Sequence, residues 1–354
     1  MLSEVMTRPS QDAERRPLLD WLLRQYPDTP KSRAKQWILA GRVSVGGRVV
    51  RKPHELLSAP GDTLALRSKH TTHLACGAGW RVHPRVTLLF LDSSLAIINK
   101  GAGLVSIPAP NCTISALSIL ADFLAGRLRA RDRAAVLPPA FRRLQPLPVH
   151  RLDQFTTGVF CAAVNPDARS SLIEQLRTHS MRRQYIAFVE GRSPIPSGTW
   201  RQWLWHSETD LRQHVLPPNA DKGALQEAHE AVTHYEVLAE YPVSGGQRFV
   251  SKLQLRLETG LKHQIRVQAA HAGLPLIGDR TYNVNYRGRL HSGPIDFPRQ
   301  ALHAELLELE HPAQPGRRMS WQAPLPRDLL QLETALKHGG GPRLTSPERP
   351  EEAR

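Results

Sequence analysis

Cysteine is scarce in this chain of 354 residues: Cys76, Cys112 and Cys161 are odd in number and far apart. That excludes a disulfide framework and a clustered zinc site, both of which need closely placed thiols. Sixteen histidines are present, but there is no HExxH and no Cys/His cluster at ligand spacing, so no metal is expected. Long apolar runs are missing too. The nearest, Val86 to Ile98, is broken by Asp92 and two serines and falls short of the ~18 residues that span a bilayer, so no membrane integration is expected. The opening Met1 to Arg16 carries Glu4, Asp12 and Glu14 and no apolar core, which excludes a secretory signal and makes the cytoplasm the expected compartment. Acids are in the minority. Against 32 Asp and Glu stand 47 Lys and Arg, a formal net charge of +15 and a pI near 10.3, so the expected partners are polyanions.

At roughly 100 to 200 residues per domain, the length predicts two domains. The first runs over residues 17–68, after an N-terminus (1–16) expected to be disordered. Leu18, Leu19, Leu22 and Leu23 form one apolar helical face. A second helix is predicted to start at Ser32 as N-cap and to end at Gly41, with Arg33, Lys35 and Arg42 around Trp37, Ile38 and Leu39. Val43-Ser44-Val45-Gly46-Gly47-Arg48-Val49-Val50 has β-branched runs flanking Gly-Gly, a two-residue hairpin signal, and Gly61-Asp62 turns into another strand. The string Ser32 to Ile38, Gly41 to Val45, Gly47 to Val50 and Gly61-Asp62 resembles the S-four-type RNA-binding domain. A basic helix beside a basic hairpin suits a phosphate backbone, so Arg33, Lys35, Arg42 and Arg48 are candidate RNA contacts; the plain alternative is a solvated capping subdomain.

Residues 69–86 have little periodicity and are expected to be a linker. A second domain is expected over 87–331, opening with the buried-strand runs Leu88 to Asp92 and Leu95 to Lys100. Further strands are predicted at Val159 to Val164, Gln184 to Val189, Ala231 to Leu238 and Leu253 to Leu257, with helices at Ala168 to Thr178 and Gln264 to Ala272. There is no strict βαβ period and no Gly-rich nucleotide loop. The expected fold class is α+β with a mixed, largely antiparallel sheet. Six arginines lie between Arg127 and Arg143 against one acid, Asp132. Such a run ordinarily marks a solvated helix face, though its place upstream of the next motif favours RNA contact. The tail 339–354 is rich in Gly, Pro and charge and is expected to be disordered.

That next motif, His150-Arg151-Leu152-Asp153-Gln154-Phe155-Thr156-Thr157-Gly158-Val159, packs polar residues just before an apolar strand, a usual place for a site. From the residues alone, Asp153 reads equally well as a partner of Arg151 or a turn cap. The string resembles the hallmark of the RluA-like pseudouridine synthases. Three more stretches resemble that family's later motifs, in its order: Arg183-Gln184-Tyr185-Ile186-Ala187, Ala231-Val232-Thr233-His234-Tyr235, and Thr259-Gly260-Leu261-Lys262-His263-Gln264-Ile265-Arg266 with Gly278-Asp279 after it. The resemblance covers about Leu88 to Asp328.

What the resemblance implies is isomerisation of uridine in RNA, with no cofactor. Asp153 is the implied essential carboxylate, as nucleophile on the anomeric carbon or base on the neighbouring ribose carbon. Arg266 is the implied partner of that carboxylate, Tyr185 the tyrosine stacked on the target base, and Arg151 the cation that enters the RNA helix in place of the flipped nucleotide. His150 and His263 read better as structural histidines. One departure is Leu261 where the family carries arginine; Lys262 beside it can meet a phosphate, without arginine's planar fork. Ribosomal RNA is the favoured substrate, transfer RNA the other option, and a monomer is expected because basic surfaces repel. Two rivals are a non-catalytic ribosome-assembly factor on the same fold and a glycoside hydrolase. The second needs another acid about 5 to 10 Å from the first, for which Asp279 is the prominent candidate.

Overall fold

The computed structural model describes residues 15–27, 29–39, 43–46, 48–58, 64–66, 74–110, 112–131, 137–217, 220, 226–243, 246–286 and 295–339. The chain divides after Thr72 into two compact units.

In the smaller unit, β1 (Arg15–Pro17) leads into α1 (Leu18–Gln25) and α2 (Lys31–Leu39), followed by β2 (Val43–Val45), β3 (Arg48–Val50), β4 (Leu56–Ser58) and β5 (Leu64–Leu66). Leu18 and Leu22, one helical turn apart, and Ala34 and Ile38, likewise, are fully buried against Val43, Val50 and Leu64. Each large side chain contributes about 1.5–3 kcal/mol by leaving water. The predicted hairpin is present: Val45 pairs with Arg48, and Gly46 takes the positive φ of 56° that so tight a turn requires. Ser32 is not the cap but lies inside the second helix, which starts at Lys31 because Pro30 supplies the first carbonyl, to Arg33 and Ala34. Gly41 and Gly61-Asp62 lie outside the described residues, as do 1–14 and 340–354 at the two ends.

The larger unit is built on one long sheet. Its strands are β6 (Leu74–His83), β7 (Val86–Leu91), β8 (Leu95–Lys100), β9 (Leu147–Pro148), β10 (Thr157–Ala163), β11 (Arg182–Glu190), β12 (Ser197–His206), β13 (Gln213–Val215), β14 (His229–Val243), β15 (Arg248–Leu257), β16 (Leu302–Glu310) and β17 (Arg318–Gln322). The order runs β13-β12-β14-β15-β11-β16-β10-β8-β7-β6, with β17 beside β16 and β9 beside β10. Among the described strands only β10 and β16 pair in parallel, so the sheet is mixed and largely antiparallel, as the sequence suggested. Helices α3 (Ala116–Leu124), α4 (Pro166–Arg177), α5 (Gln264–His271) and α6 (Arg327–Lys337) cover it.

β10 carries the architecture. All seven of its residues are buried, because both its faces are covered: Phe160 and Ala162 point into the core that includes α3, and Val159, Cys161 and Ala163 into the one that includes α4. Gly158 is required at its start. With φ at 116°, an added Cβ would lie 2.0 Å from the Ala304 carbonyl of the parallel neighbour.

Two expectations need correcting. Residues 69–86 are no linker throughout, since β6 occupies Leu74–His83 and pairs with β7; a register shift between Ala75 and Trp80 breaks the alternation that would have revealed it. The last helix also runs past residue 331, to Lys337, where Leu329, Leu332 and Leu336 pack on Ile186 and Phe188.

Candidate active site

A cleft of about 590 Å³ opens at the end of β10, lined by Arg151, Asp153, Arg183, Tyr185, Lys262, His263 and Arg266 among others. Asp153 sits in the loop between β9 and β10, and nearly every turn of that loop is tied down. Ser106 Oγ accepts from Leu152 N (2.9 Å) and donates to Leu152 O (2.7 Å). Thr156 N donates to Asp153 O (3.1 Å). Lys100, fully buried at the end of β8, donates from Nζ to the carbonyls of Gly101, Leu104 and Gln154 (3.1, 2.8 and 3.1 Å). Arg299, 4% exposed, donates to Phe155 O (3.1 Å) while gripping Asp328 with Nε and Nη2 (2.7 and 3.0 Å). Burial drags the Lys100 ammonium down to about 7, against the pull of Asp153 and with Arg299 and Arg85 helping burial.

Arg266, on α5, is held from both sides. Its Nε and Nη2 donate to the two oxygens of Asp279 (2.7 and 2.8 Å), and its Nη1 reaches Asp153 Oδ2 (3.1 Å). Asp279, 1% exposed, also accepts from the backbone of Thr281 and Tyr282 (2.9 and 3.2 Å). Burial pulls the Arg266 guanidinium down, but the carboxylates of Asp279 and Asp153 outweigh it and hold the group above the ordinary arginine value. Asp279 is thus an orienter, with no free oxygen to serve as a second acid, which removes the two-carboxylate arrangement of a glycosidase.

The turn before α5 is set by Gln264. Its Oε1 accepts from Thr259 Oγ1 and Leu261 N (2.9 and 3.0 Å), and its Nε2 donates to Val232 O and Thr233 Oγ1 (3.2 and 2.9 Å). The two motifs around Thr233 and Thr259 are therefore one hydrogen-bonded unit. His263 takes a left-handed φ of 57° there. Gln213 N donates to Tyr282 Oη (3.0 Å), and that hydroxyl shares a hydrogen bond with His263 Nδ1 (2.9 Å). The other ring nitrogen of His263, Nε2, lies 3.9 Å from Asp153 Oδ1. Burial, partly opposed by Asp153, keeps the imidazole neutral down to about pH 4. This histidine, read from the sequence as structural, lies against the carboxylate. His150 also borders the cleft but is tied to the sheet, accepting from Cys161 N (3.0 Å) at Nε2.

Tyr185, on β11, is 6% exposed and lines the cleft. Burial raises its hydroxyl and Asp153 adds to that, while Arg183 opposes both, so the phenol is neutral near pH 7. Arg183 donates from Nη2 to Glu258 O and Thr259 O (3.0 and 3.2 Å), and its Nε has no hydrogen-bond partner among the described residues. An added Cβ at Gly260 would come within 2.3 Å of its Nη1 and push the guanidinium aside.

Of the residues expected to meet RNA, Arg151 is exposed at the cleft. Lys262 also lines it, with Nζ donating to Leu211 O (3.2 Å), and Leu261 packs among Leu204, Ala231, Val267 and Tyr282 instead of facing outward as an arginine would. In the smaller unit Arg33 and Lys35 are exposed on α2, Arg48 is ion-paired with Glu55, and Arg42 lies outside the described residues. The arginine-rich stretch is not a helix where it is described: Arg127 pairs with Asp122, and Arg142 and Arg143 are exposed after a short 3-10 turn at Pro139–Phe141. Lys100, Arg299, Asp279 and Arg183 were not singled out as functional from the sequence, except Asp279 as a possible second acid. The contacts of Lys100 with Gln154, Arg299 with Phe155 and Arg183 with Glu258 and Thr259 lie too far along the chain for spacing to reveal.

Comparison with known proteins agrees with the motifs. Residues 94–271 match the family model for RNA pseudouridylate synthase, and residues 16–64 match the S4 domain. A Pseudomonas aeruginosa protein named ribosomal large subunit pseudouridine synthase D is 33% identical over 323 residues, covering 88% of this chain and 89% of its own. The Escherichia coli protein of that name is 32% identical over 328 residues, with 89% of each covered. Among solved structures, human RNA pseudouridylate synthase domain containing 4 superposes with a TM-score of 0.53 at 24% identity, over 71% of this chain and 92% of that one, and so shares the fold.

Proposed function

Since this chain belongs to the RNA pseudouridylate synthase family, as an RluA-like member with an S4 domain, we propose that it converts particular uridines of large-subunit ribosomal RNA to pseudouridine. It is an isomerase acting on RNA. The choice of ribosomal RNA rests on the names of its relatives, and that substrate implies work in the cytoplasm; a monomer follows from the mutual repulsion of basic surfaces.

The observation that carries the mechanistic reading is the Asp279–Arg266–Asp153 array at the mouth of a cleft walled by Tyr185. In this reading the uridine leaves its stack and enters the cleft, because the bond to be broken is out of reach inside a helix. Arg151 fills the gap it leaves, offsetting part of an unstacking cost of a few kcal/mol. Asp153, held and aimed by Arg266, attacks the anomeric carbon or takes the proton from the adjacent ribose carbon. The glycosidic bond to the ring nitrogen breaks, the uracil turns against the Tyr185 ring, and a ring carbon bonds to the sugar. That carbon then loses its proton by way of the Tyr185 hydroxyl, the ring nitrogen freed from the sugar gains one, and Asp153 gives up its bond to the sugar or returns the proton it took. Atoms balance with no outside reagent.

The test is site-by-site pseudouridine mapping of ribosomal and transfer RNA from cells with the gene intact, deleted, or carrying Asp153→Asn. A site lost in both altered strains supports the whole reading. A site lost on deletion but kept with Asp153→Asn removes Asp153 from the chemistry. No lost site, with purified protein inactive on RNA from the deletion strain, leaves an assembly factor as the better account.

A further inference from the structure

Phe155 is 44% exposed, two residues from Asp153, in a loop whose backbone is held in place. The carbonyl of Phe155 is held by Arg299, that of Gln154 by Lys100, that of Asp153 by Thr156 N, and Leu152 is clamped at both backbone groups by Ser106. Lys100 and Arg299 are themselves buried, so the loop is fixed from inside the fold. A single exposed apolar side chain on a protein surface is ordinary. One in a backbone-fixed loop two residues from the candidate catalytic carboxylate, with exposed Arg151 two residues before that carboxylate, is available to a substrate bound there. Phe155 does not line the cleft that takes the uridine. Whatever it touches is outside that cleft.

We propose that Phe155 stacks on a nucleobase flanking the flipped uridine and thereby selects sites whose neighbour is unpaired. The inference rests on the RNA-modifying reading above and adds a specificity contact to it. The physical ground is that extruding one nucleotide exposes the faces of the bases beside it, and a rigid aromatic ring gives one of those faces a partner in any sequence, since every base has a π-face. Arg151 supplies charge to the opened stack and Phe155 supplies a stacking platform, with Asp153 between them along the chain. An uncharged ring gives no help against the phosphates, so its contribution should show little dependence on salt, unlike that of the basic residues.

The experiment uses the full chain and large-subunit ribosomal RNA extracted from cells lacking the gene, with pseudouridine formation followed against RNA concentration. Phe155→Ala is expected to raise the RNA concentration for half-maximal rate about five- to hundredfold, the range for losing one stacked base. Its melting temperature should stay within about 2 °C of the wild type's, since Phe155 belongs to none of the buried core clusters. Phe155→Trp should restore the wild-type value and Phe155→Leu should not, because leucine has apolar area without a π-face. Half-saturation unchanged in Phe155→Ala overturns the inference, as does Phe155→Leu matching Phe155→Trp. If the wild type itself forms no pseudouridine in this RNA, the substrate reading beneath fails, and that result is plain from the control alone.

Discussion

Replacing Asp279 by Asn changes one oxygen to an amide and little in shape, so its effect isolates the charge that holds Arg266. In the wild type Asp279 accepts four hydrogen bonds, two from Arg266 at 2.7 and 2.8 Å and two from the backbone of Thr281 and Tyr282. Asn has one acceptor oxygen and an NH₂ group, so at least one donor of Arg266 or of the turn is set against another donor. Arg266 is 7% exposed in its side chain and keeps only Asp153 as counter-charge. Removing one member of a buried pair costs about 3–5 kcal/mol, and for a unit of this size each kcal/mol lowers the melting temperature by about 2–4 °C, a drop of roughly 6–20 °C. Calorimetry on the purified protein measures this directly. Activity at a temperature where the variant is folded should fall by about 10²-fold, since a carboxylate misaimed by an ångström loses that much. A variant melting within about 2 °C of the wild type and turning over at the same rate would refute the argument that Asp279 positions the site.

Other consequences follow from the groups behind the loop. His150 is brought to about 3 by burial, with Arg183 contributing, while the unfolded chain protonates near 6.5. Stability it contributes is therefore complete above pH 6.5 and drains away as pH falls toward 3; His150→Gln, which keeps an acceptor for Cys161 N, should flatten urea-measured stability by one proton across that window. For Lys100 the sign is the same, in a higher window. The cost of burying its charge is present in full below about pH 7 and is relieved as pH rises toward 10.5, because the unfolded chain then holds a proton that the folded one has released. The stability difference between wild type and Lys100→Met should shift in favour of the wild type over that range, and the variant's rate should fall at every pH as three carbonyls lose their donor. Gly158→Ala should lose about 3 kcal/mol or more, seen as a lower melting temperature or insoluble protein, because its Cβ meets the Ala304 backbone at 2.0 Å and φ is 116°.

What could be read from the sequence divides by the distance over which a residue's meaning is settled. The strand Leu95 to Lys100 was legible to the residue, since an apolar run buried on both sides is a local signal. The same holds for the Gly-Gly hairpin, whereas α4, expected over Ala168 to Thr178, starts two residues earlier at Pro166, after the Asn165 cap. β6 was not legible because a bulge spoils its alternation, and α3 was passed over although Ser115 and Ser118 form a reciprocal cap that its sequence does carry. The motif strings around Asp153, Tyr185 and Arg266 stand out because each is a dense local cluster. The residues that give those clusters their geometry do not stand out. Lys100 looks like the end of a strand, yet its partner carbonyl at Gln154 is 54 residues away; Arg299 looks like a charged turn residue, yet it holds Phe155 across 144. Neither separation has any period, so no spacing rule reaches it. The buried cations needed to fix the loop from within had to come from strands and turns that the sheet brings alongside β10, and only the pairing of β10 with β8 on one side and β16 on the other does so. The chemistry can be written in short strings, but its aim is set by topology. A change in Lys100 or Arg299 should therefore disable Asp153 about as effectively as a change in the motif that contains it.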